Sequence, residues 1–257
     1  MPPSRVIAIT GAARGIGRAT ADELARRGAR VAIGDLHPPG AGDFEVDVTD
    51  RDSFAAFLDA VEERHGPLDV LVNNAGIMIV GPLADAKPAA ASKVIDVNVK
   101  GVLNGMQLAI PRLRPGGHIV NVVSSSAWIA PPALAVYSAS KHAARGLTDS
   151  VRDEVRKAGI AVTGVYPGVV DTDLAVGTRA ARGSKMISPH EVARAIAGAV
   201  ERPRAELFVP RSLGVLLRSY QAMPPRARAL FGRAIGIEDL YGTVDPASRA
   251  SYESSLG

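Results

Sequence analysis

Short apolar runs alternate with longer amphipathic stretches over about the first two hundred residues of the chain. A short run of β-branched and apolar residues predicts a strand, whereas apolar residues that recur three or four positions apart predict a helix. The predicted strands are residues 6–10, 30–34, 68–73, 118–123, 160–166 and 207–209, with a further short strand before Asp47. The predicted helices are residues 16–27, 50–65, 92–113, 138–157 and 189–200.

This alternation predicts an α/β fold with a parallel sheet, because parallel neighbours are joined by right-handed helical crossovers. The middle strands are apolar at nearly every position, as strands covered by helices on both faces must be. We therefore expect a Rossmann-like, doubly wound sheet of about seven parallel strands. Residues 1–210 show no linker and are predicted to form one domain. Residues 211–257 lose the alternation and are predicted to be a C-terminal helical extension packed on that domain.

The predicted helix ends carry residues that commonly begin or end helices. Gly28, Gly66 and Gly159 follow three of the helices, where a left-handed backbone conformation is needed. The sequence Ser188-Pro189-His190-Glu191 matches a capping box, with an N-cap serine, a proline in the first turn and a glutamate three residues after the serine.

The composition is that of an ordinary globular protein, with 47% hydrophobic and 22% charged residues. The absence of cysteine excludes disulfides, thiol nucleophiles and cysteine-bound metals, and the histidines suggest no metal site. No apolar stretch has the length of a secretory signal or a membrane span, so a soluble, cytoplasmic protein is expected. The net charge of +4 arises in the last third of the chain without interleaved aromatic residues, so no nucleic-acid partner is expected.

The first predicted strand leads into a glycine-rich turn at residues 10–17, which a helix follows. Such a turn lets the backbone approach a phosphate closely, while the N–H groups that begin the helix face the phosphate. The spacing G-x-x-x-G-x-G is less common than G-x-G-x-x-G, but the strand and helix on either side are the context that dinucleotide binding requires. The turn is predicted to bind the pyrophosphate of a dinucleotide.

Two residues give opposite indications of which dinucleotide binds. Asp35 follows the second strand, and a carboxylate there accepts hydrogen bonds from the adenosine ribose and repels a 2′-phosphate, which favours NAD(H). Arg14 favours NADP(H), because a base in the glycine turn can pair with that phosphate. We give more weight to Asp35, since it is desolvated against the ribose whereas Arg14 can turn into water. NAD is therefore the predicted cofactor, with NADP as the alternative.

Tyr137 and Lys141 are four residues apart on a predicted helix and hence share one face. A free phenol has a pKa near 10, and an ammonium group one turn away is expected to lower that value toward the range of a useful base. Ser124 ends the strand before this helix, so it and Tyr137 can converge on one substrate oxygen at the carboxyl edge of the sheet. The three residues predict acid–base chemistry on an alcohol or carbonyl.

With these motifs, the chain resembles the short-chain dehydrogenase/reductase family over roughly residues 5–200. The resemblance rests on the glycine turn, Asp47, residues 73–76, Asn98, the Ser124–Tyr137–Lys141 set and residues 167–172. It implies that Tyr137 is the general acid in reduction and the general base in oxidation, and that Ser124 holds the substrate oxygen. It further implies that Lys141 binds the nicotinamide ribose and that Asn98 holds a water in a proton relay. An asparagine satisfied by backbone groups is the alternative at Asn98.

The resemblance also completes the predicted cofactor site. Residues beside the adenine, both riboses and the nicotinamide join the glycine turn and the catalytic pair. The predicted cofactor-binding residues are Gly11, Arg14, Gly15, Ile16, Gly17, Asp35, Asp47, Val48, Asn74, Ala75, Gly76, Tyr137, Lys141, Pro167, Gly168, Val170 and Thr172. A homo-oligomer, either a dimer or a tetramer, is implied as well. Many members build a tetramer interface from a short glycine-rich end, whereas here the chain continues well beyond Pro210.

Apolar residues predict a hydrophobic alcohol or ketone as the substrate. They lie on loops expected near the pocket, namely Ile77, Met78, Trp128, Ile129, Pro131 and Pro132. Residues 212–236 mix leucines with arginines, which is typical either of a substrate lid or peripheral membrane contact, or of a helix pair that covers the sheet edge. The second interpretation is favoured.

Two other functions are compatible with a nicotinamide-binding sequence. One is a sensor that binds the nucleotide without chemistry, although such proteins typically lose the tyrosine or the lysine. The other is a sugar-nucleotide epimerase or dehydratase, which normally has a different glycine spacing and a larger C-terminal substrate domain. Both are less compatible with this sequence than an alcohol or carbonyl oxidoreductase.

Overall fold

The computed structural model describes residues 5–178, 185–234, 236–237, 241, 244, 249 and 252. Within this part of the chain, the strands are β1 (Val6–Thr10), β2 (Arg30–Asp35), β3 (Phe44–Glu45), β4 (Val70–Asn73), β5 (His118–Val122), β6 (Ala161–Pro167) and β7 (Glu206–Val209). They form one sheet in the order β3-β2-β1-β4-β5-β6-β7, and every neighbouring pair is parallel. The predicted seven-stranded parallel sheet is confirmed.

The helices cover both faces of this sheet. They are α1 (Gly15–Arg26), α2 (Arg51–His65), α3 (Pro88–Ile95), α4 (Gly101–Ala109), α5 (Ala135–Val155), α6 (Pro189–Glu201), α7 (Arg211–Ala222) and α8 (Pro225–Ala234). Alternate residues of β1 separate the two apolar cores, because successive strand residues point to opposite faces. Ile7 and Ile9 pack with α1 and α6, whereas Val6 and Ala8 belong to the core formed with α2, α4 and α5. The doubly wound Rossmann-like architecture follows from this division.

The predicted helix at residues 92–113 differs most from the structure. It starts earlier, at Pro88, and passes through a π-helical stretch at Asp96–Lys100 before α4 ends at Ala109. Proline is favoured in a first helical turn, which explains the early start, and Pro111 cannot continue a helix, which explains the early end. The π-helical stretch contains Asn98, and such stretches are frequent at functional sites. The other predicted helices agree with the structure to within about three residues at each end.

The predicted helix ends agree with the structure. Gly28, Gly66 and Gly159 all have positive φ angles, of 88°, 92° and 71°. In the capping box, the Ser188 N–H donates to Glu191 Oε2 at 2.9 Å, and the His190 N–H donates to Ser188 Oγ at 3.2 Å. These contacts fix the start of α6.

The helix α7 packs against the edge strand β7. Leu217 is fully buried there, and a Cβ at Gly214 would lie 2.7 Å from the Phe208 ring, so the helix can approach closely only because residue 214 is glycine. These contacts agree with the interpretation of residues 212–236 as helices that cover the sheet edge. None of the described helices has the length and apolar character needed to cross a bilayer.

His118 is a fully buried titratable residue at the start of β5, at the opposite end of the strand from Ser124. Its Nε2 lies 2.8 Å from Thr163 Oγ1, and that hydroxyl donates to the Arg204 carbonyl, so the histidine is the donor. Burial lowers the pKa of His118 to about 4, and the positive charge of Arg5 acts in the same direction. The folded protein therefore keeps this histidine neutral.

We expect the protein to lose stability in acid through His118. Because the folded pKa lies below the ordinary 6.5, the unfolded chain binds a proton between pH 6.5 and 4 that the folded chain does not. The free energy of unfolding should fall by about 2 kcal/mol from pH 7 to pH 5 through this group alone. Urea unfolding of wild type, His118→Gln and the exposed-residue control His190→Gln measures the effect. The prediction is wrong if His118→Gln keeps the full wild-type pH dependence.

Candidate active site

A cleft of about 1050 Å³ lies at the carboxyl edge of the sheet, where the connections after β1 and β4 leave in opposite directions. Ligands of open α/β sheets bind in such a crevice. Nearly all of the residues that the sequence assigned to the site line this cleft, namely Gly11, Arg14, Gly15, Ile16, Asp35, Asp47, Val48, Asn74, Ala75, Gly76, Ser124, Tyr137, Lys141, Pro167, Gly168, Val170 and Thr172. Gly17 and Asn98 do not line the cleft, but each contacts residues that do.

The glycine turn brings the backbone of β1 against the end of β4. Gly11 has a φ of +63°, and a Cβ there would lie 2.6 Å from the Ala75 Cα. A Cβ at Gly17 would lie 2.4 Å from the Gly11 carbonyl oxygen and 2.5 Å from Asn74 Nδ2. Side chains are therefore excluded at these two positions, and the turn borders the cleft as a hollow at the start of α1.

Asn74 and Thr10 hold this turn in place. Asn74 Nδ2 donates to the carbonyl oxygens of Thr10 and Gly11 at 3.0 and 2.8 Å. The Thr10 hydroxyl in turn accepts from the backbone N–H groups of Asn74 and Ala75, at 3.1 and 3.2 Å. Thr10 thus shapes the site, although it is not among the cofactor-binding residues predicted from the sequence. Its position directly before Gly11 was the available signal.

The Asp35 carboxylate is oriented by the same turn. Its Oδ2 accepts from the Ala13 N–H at 2.9 Å, and its Oδ1 accepts from the His37 N–H at 3.2 Å. Arg14 is directed elsewhere, since its Nη1 pairs with Asp173 Oδ2 at 2.9 Å in an exposed ion pair. In this arrangement Arg14 joins the glycine turn to the loop after β6.

Asp47 and Val48 form the wall of the cleft after β3. Asp47 Oδ1 accepts from the N–H and the hydroxyl of Thr49 at 2.9 and 2.7 Å. The carbonyl of Val48, which is buried, accepts from Asn104 Nδ2 at 2.9 Å. These bonds fix the backbone of two residues that are predicted to bind the cofactor.

Tyr137 lies in the first turn of α5 and packs against Met78 and Leu134, with only 7% of its surface exposed. Ser124 follows β5, and its Oγ accepts from the Ser126 N–H at 3.0 Å. The Ser124 side chain also lies close enough to the Tyr137 phenol to act against the rise in its pKa. The structure therefore brings together the serine and tyrosine that the sequence paired.

Lys141 lies one turn after Tyr137, and its Nζ is 5.6 Å from the centroid of the Tyr137 ring. Nζ donates to the Val122 carbonyl at 3.2 Å. Gly76 leaves room beside this ammonium, because a Cβ there would lie 3.4 Å from Lys141 Nζ and 3.3 Å from Asn98 Oδ1. The lysine, the asparagine and the loop after β4 thus meet at one point.

Asn98 is fully buried in the π-helical stretch and holds the loop after β4. Its Oδ1 accepts from the Ile77 N–H at 2.9 Å, and its Nδ2 donates to the Ile77 carbonyl and to Ser140 Oγ, both at 2.9 Å. Both backbone groups of Ile77 are therefore bound by one side chain. Asn98 therefore bonds to backbone groups, as the alternative interpretation of this residue predicts. It also lies beside Lys141, behind the wall of the cleft.

The pKa of Tyr137 differs from the sequence-based expectation. Burial raises this pKa above that of a free tyrosine, the nearby Tyr241 and Tyr252 act in the same direction, and the Ser124 hydroxyl acts against them. The predicted lowering by Lys141 is therefore not found. The physical reason is the loss of hydration that burial imposes on the phenolate. Burial also lowers the pKa of Lys141 to about 8, so the lysine has lost its charge before the phenol would ionise. At neutral pH the phenol is protonated.

The loop after β6 forms the opposite wall of the cleft. The Gly168 N–H donates to the Val209 carbonyl at 3.0 Å, and Val170 forms a parallel bridge with Ile187. Thr172 Oγ1 lies 3.4 Å from the Val170 carbonyl, to which it donates. The residues of this loop that are predicted to bind the cofactor, Pro167, Gly168, Val170 and Thr172, all line the cleft.

The predicted apolar lining is only partly correct. Ile77 and Met78 line the cleft, but Trp128, Ile129, Pro131 and Pro132 do not. Trp128 instead packs edge-on against Tyr166 under the Arg145 guanidinium, which lies 3.4 Å from its ring centroid. The 3₁₀ turn after Ser124 directs it away from the cleft. The cleft is lined instead by Leu174, Tyr241 and Tyr252, two of which come from the region after α8.

No group of three or more histidine, aspartate or glutamate side chains is placed to hold a metal in the described part of the chain.

Comparison with known proteins identifies the family. The sequence profile of the short chain dehydrogenases matches residues 5–183, which is more than half of the chain. The Mycobacterium tuberculosis protein named "Probable oxidoreductase EphD" is 36% identical over 190 residues, which cover 67% of this chain. The alignment covers 32% of EphD, so the chain spans about a third of the length of that relative.

Two solved structures are similar over most of the chain. A short chain dehydrogenase from Burkholderia cenocepacia in complex with NADP has a TM-score of 0.78 at 29% identity, covering 90% of this chain and 97% of that one. A 3-ketoacyl-(acyl-carrier-protein) reductase from Brucella melitensis, complexed with NADH, has a TM-score of 0.71 at 26% identity, covering 80% and 96%. Together with the profile match and the fold, these similarities show that the chain belongs to the short-chain dehydrogenase/reductase family of oxidoreductases.

Proposed function

We propose that the protein transfers a hydride between NAD(H) and a secondary alcohol or ketone, with Tyr137 as the general acid or base. The observation that carries this proposal is that one cleft joins the glycine turn and Asp35 to Tyr137, Ser124 and Lys141. A dinucleotide bound along the cleft would reach from a carboxylate at one end to a buried phenol at the other. This is the arrangement that hydride exchange at a carbonyl carbon requires.

The residues present fit a nicotinamide dinucleotide. Any side chain at Gly11 or Gly17 would collide with Ala75 or with the Gly11 carbonyl and so displace the turn. The turn lies at the start of α1, where N–H groups favour a phosphate. Asp35 lies at the end of the next strand, as a partner for ribose hydroxyls requires. When bound, the cofactor supplies or accepts the hydride. The protein positions the substrate and gives a proton to the substrate oxygen or takes one from it.

The protonated phenol of Tyr137 suits the reduction of a ketone. A substrate oxygen placed between Tyr137 and Ser124 would receive a proton from the phenol as negative charge develops on it. The Ser124 hydroxyl donates to Ser126 Oγ at 3.2 Å, and it would turn from that partner to donate to the same substrate oxygen. For alcohol oxidation the phenol would first have to lose its proton, which its burial disfavours.

Lys141 and Asn98, which lie next to each other beside Gly76, would support this proton transfer. Burial brings the pKa of Lys141 to about 8, within reach of neutral pH, so the ammonium can exchange protons there. Its position beside Gly76 leaves space for hydroxyl groups of a nicotinamide ribose. Asn98 keeps the loop after β4 in place through Ile77 and adjoins the lysine.

The substrate is proposed to be hydrophobic, because Met78, Leu174 and the ring of Tyr241 surround Tyr137. A polar polyol would leave its hydroxyl groups unpaired against such a wall, and each unpaired buried group costs about 1–3 kcal/mol. Aliphatic, aryl and ring ketones should therefore be turned over far better than small polyhydroxy ketones.

The test is the oxidation of NADH, followed at the reduced-nicotinamide absorbance band, with a panel of apolar and polyhydroxy ketones at neutral pH. We expect turnover with apolar ketones and weak turnover with the polyhydroxy ones. Tight NADH binding without turnover of any ketone, and without NAD reduction by any alcohol, would contradict the proposed chemistry. A preference for polyhydroxy ketones would contradict the substrate class alone.

Cofactor choice gives a separate prediction at Asp35. Asp35→Asn keeps an oxygen that can accept from the Ala13 N–H but removes the charge that repels a 2′-phosphate. We expect the ratio of the NADPH to the NADH dissociation constant, which should exceed one in wild type, to fall by about tenfold, equivalent to about 1.4 kcal/mol. Fluorescence titration with both nucleotides measures it. Glu45→Ala, an exposed carboxylate that pairs with Asp35 in register on β3, is the control and should leave the ratio unchanged. An unchanged ratio in Asp35→Asn contradicts the assignment.

A further inference from the structure

Residues from the region after α8 lie directly beside the catalytic tyrosine. Tyr241 packs on the cluster of Met78, Leu134 and Tyr137, and Tyr252 lines the same cleft. No motif of the family resemblance includes this region, which follows Tyr137 by more than a hundred residues. We refer to Tyr241, Arg249 and Tyr252 as the tail residues.

Arg249 links the two walls of the cleft. Its side chain is almost fully buried, with 1% exposure, which is unusual for an arginine. Nη2 donates to the Met78 carbonyl at 3.0 Å in the loop after β4. Nη1 donates to the carbonyls of Leu174 and Val176 at 3.1 and 2.9 Å in the loop after β6. One guanidinium therefore sets the separation of two loops that come from different strands.

Tyr252 completes the hold on the first of these loops. Its hydroxyl accepts from the Met78 N–H at 3.2 Å, and its ring lies 4.9 Å from the Arg249 guanidinium carbon. Both backbone groups of Met78 are thus bound by tail residues, just as both backbone groups of Ile77 are bound by Asn98. Buried backbone groups need such partners, so the tail residues determine the path of the loop on which Met78 lies.

We propose that the tail residues form the closing wall of the substrate pocket, with Arg249 as a positioning residue and Tyr241 as a residue that limits substrate size. This inference rests on the proposed function and specifies which parts of the chain determine its substrate. Tyr241 stands beside Tyr137 and Leu174, where the substituents of a bound ketone would lie. Arg249 touches no reacting atom and acts by holding Met78 and Leu174 at a fixed distance on either side of the substrate.

The role of Arg249 in holding the two loops together is tested by hydrogen–deuterium exchange, which does not depend on turnover. In Arg249→Gln we expect faster exchange in peptides covering residues 76–80 and 173–178, and unchanged exchange in the glycine turn at residues 10–17. Arg249→Lys should behave like Arg249→Gln, because a lysine is a point donor and cannot bridge separate carbonyls as a planar guanidinium does. Arg226→Gln, which changes an exposed arginine of α8, is the matched control and should exchange like wild type.

Kinetics with an apolar ketone provide a readout that a purely structural role would not give. Arg249→Gln should raise the KM of the ketone by roughly tenfold or more, while the Kd of NADH stays within about threefold, because only the substrate walls lose their spacing. Unchanged loop exchange together with an unchanged ketone KM would overturn the role of Arg249. An equal loss of NADH and ketone affinity would also overturn it, since general destabilisation would then explain the effect.

The proposal that Tyr241 limits substrate size is tested by shortening its side chain, in variants that leave Arg249 unchanged. Tyr241→Ala should raise the kcat/KM of a bulky aryl ketone relative to a small aliphatic ketone by about tenfold, whereas Tyr241→Phe should keep the wild-type ratio. A ratio unchanged in Tyr241→Ala would remove Tyr241 from the pocket wall. If wild type turned over no ketone, the proposed function would fail. The hydrogen–deuterium exchange experiment would still decide whether Arg249 holds the two loops together.

Discussion

Tyr137→Phe is expected to lower kcat for ketone reduction by about 10²- to 10⁴-fold, the range that a positioned general acid contributes. The phenylalanine ring keeps the packing against Met78 and Leu134, so only the proton donor is lost. The Kd of NADH should therefore stay within about threefold of wild type, because the variant keeps the shape of the cleft. Stopped-flow measurement of NADH oxidation under single-turnover conditions separates the chemical step from product release.

The matched control for this variant is Tyr220→Phe. Tyr220 lies on α7, next to Phe231 and the Arg228 guanidinium, and does not line the cleft. The Tyr220→Phe variant loses the same phenol hydroxyl at a place where no proton transfer is proposed. The kcat of this variant should therefore equal that of wild type. Turnover by Tyr137→Phe within about tenfold of wild type would show that another group supplies the proton.

Gly17→Ala is expected to raise the Kd of NADH by about 10- to 100-fold. The added Cβ would lie 2.4 Å from the Gly11 carbonyl oxygen and 2.5 Å from Asn74 Nδ2, so the turn or the asparagine has to shift. Relieving such a clash typically costs about 1–3 kcal/mol, and here the atoms that move are those that shape the pyrophosphate hollow. Fluorescence titration of NADH measures the loss, and thermal unfolding shows whether the domain remains folded.

Gly198→Ala is the control for this substitution. Gly198 lies inside α6, where a Cβ would meet no atom within 4 Å. Alanine is a better helix former than glycine by up to about 1 kcal/mol, so this variant should be as stable as wild type or more so and should bind NADH equally well. Wild-type NADH affinity in Gly17→Ala would mean that the turn relaxes without cost and does not define the cofactor site.

The sequence was sufficient to predict the sheet and most of the cleft because their determinants are local. The apolar run at residues 6–10 coincides with β1, and the glycine spacing that follows needs only the next strand and helix for its interpretation. The carboxyl ends of parallel strands share one edge, so Asp35, Asn74, Ser124 and residues near Pro167 had to come together once the alternation was recognised.

What the sequence did not reveal depends on contacts between distant parts of the chain. The bonds that Met78 makes to Arg249 and Tyr252 span 171 and 174 residues, and no local pattern marks either partner. The same packing buries Tyr137, so the direction of its pKa shift could not be read from the four-residue spacing to Lys141. Trp128 follows Ser124 closely, yet one 3₁₀ turn carries it into the core beside Tyr166.

The order of strands in the sheet has a consequence for how the chain folds. Ile7 of β1 pairs with Val70 of β4, so the centre of the sheet forms only after a loop of about sixty residues has closed. Contacts between residues so far apart in sequence slow folding relative to helical proteins of similar size. Until β4 arrives, one edge of β1 lacks its partner, and a strand edge exposed in this way can pair with another chain. During refolding the protein should therefore be most prone to aggregate before the cofactor cleft exists.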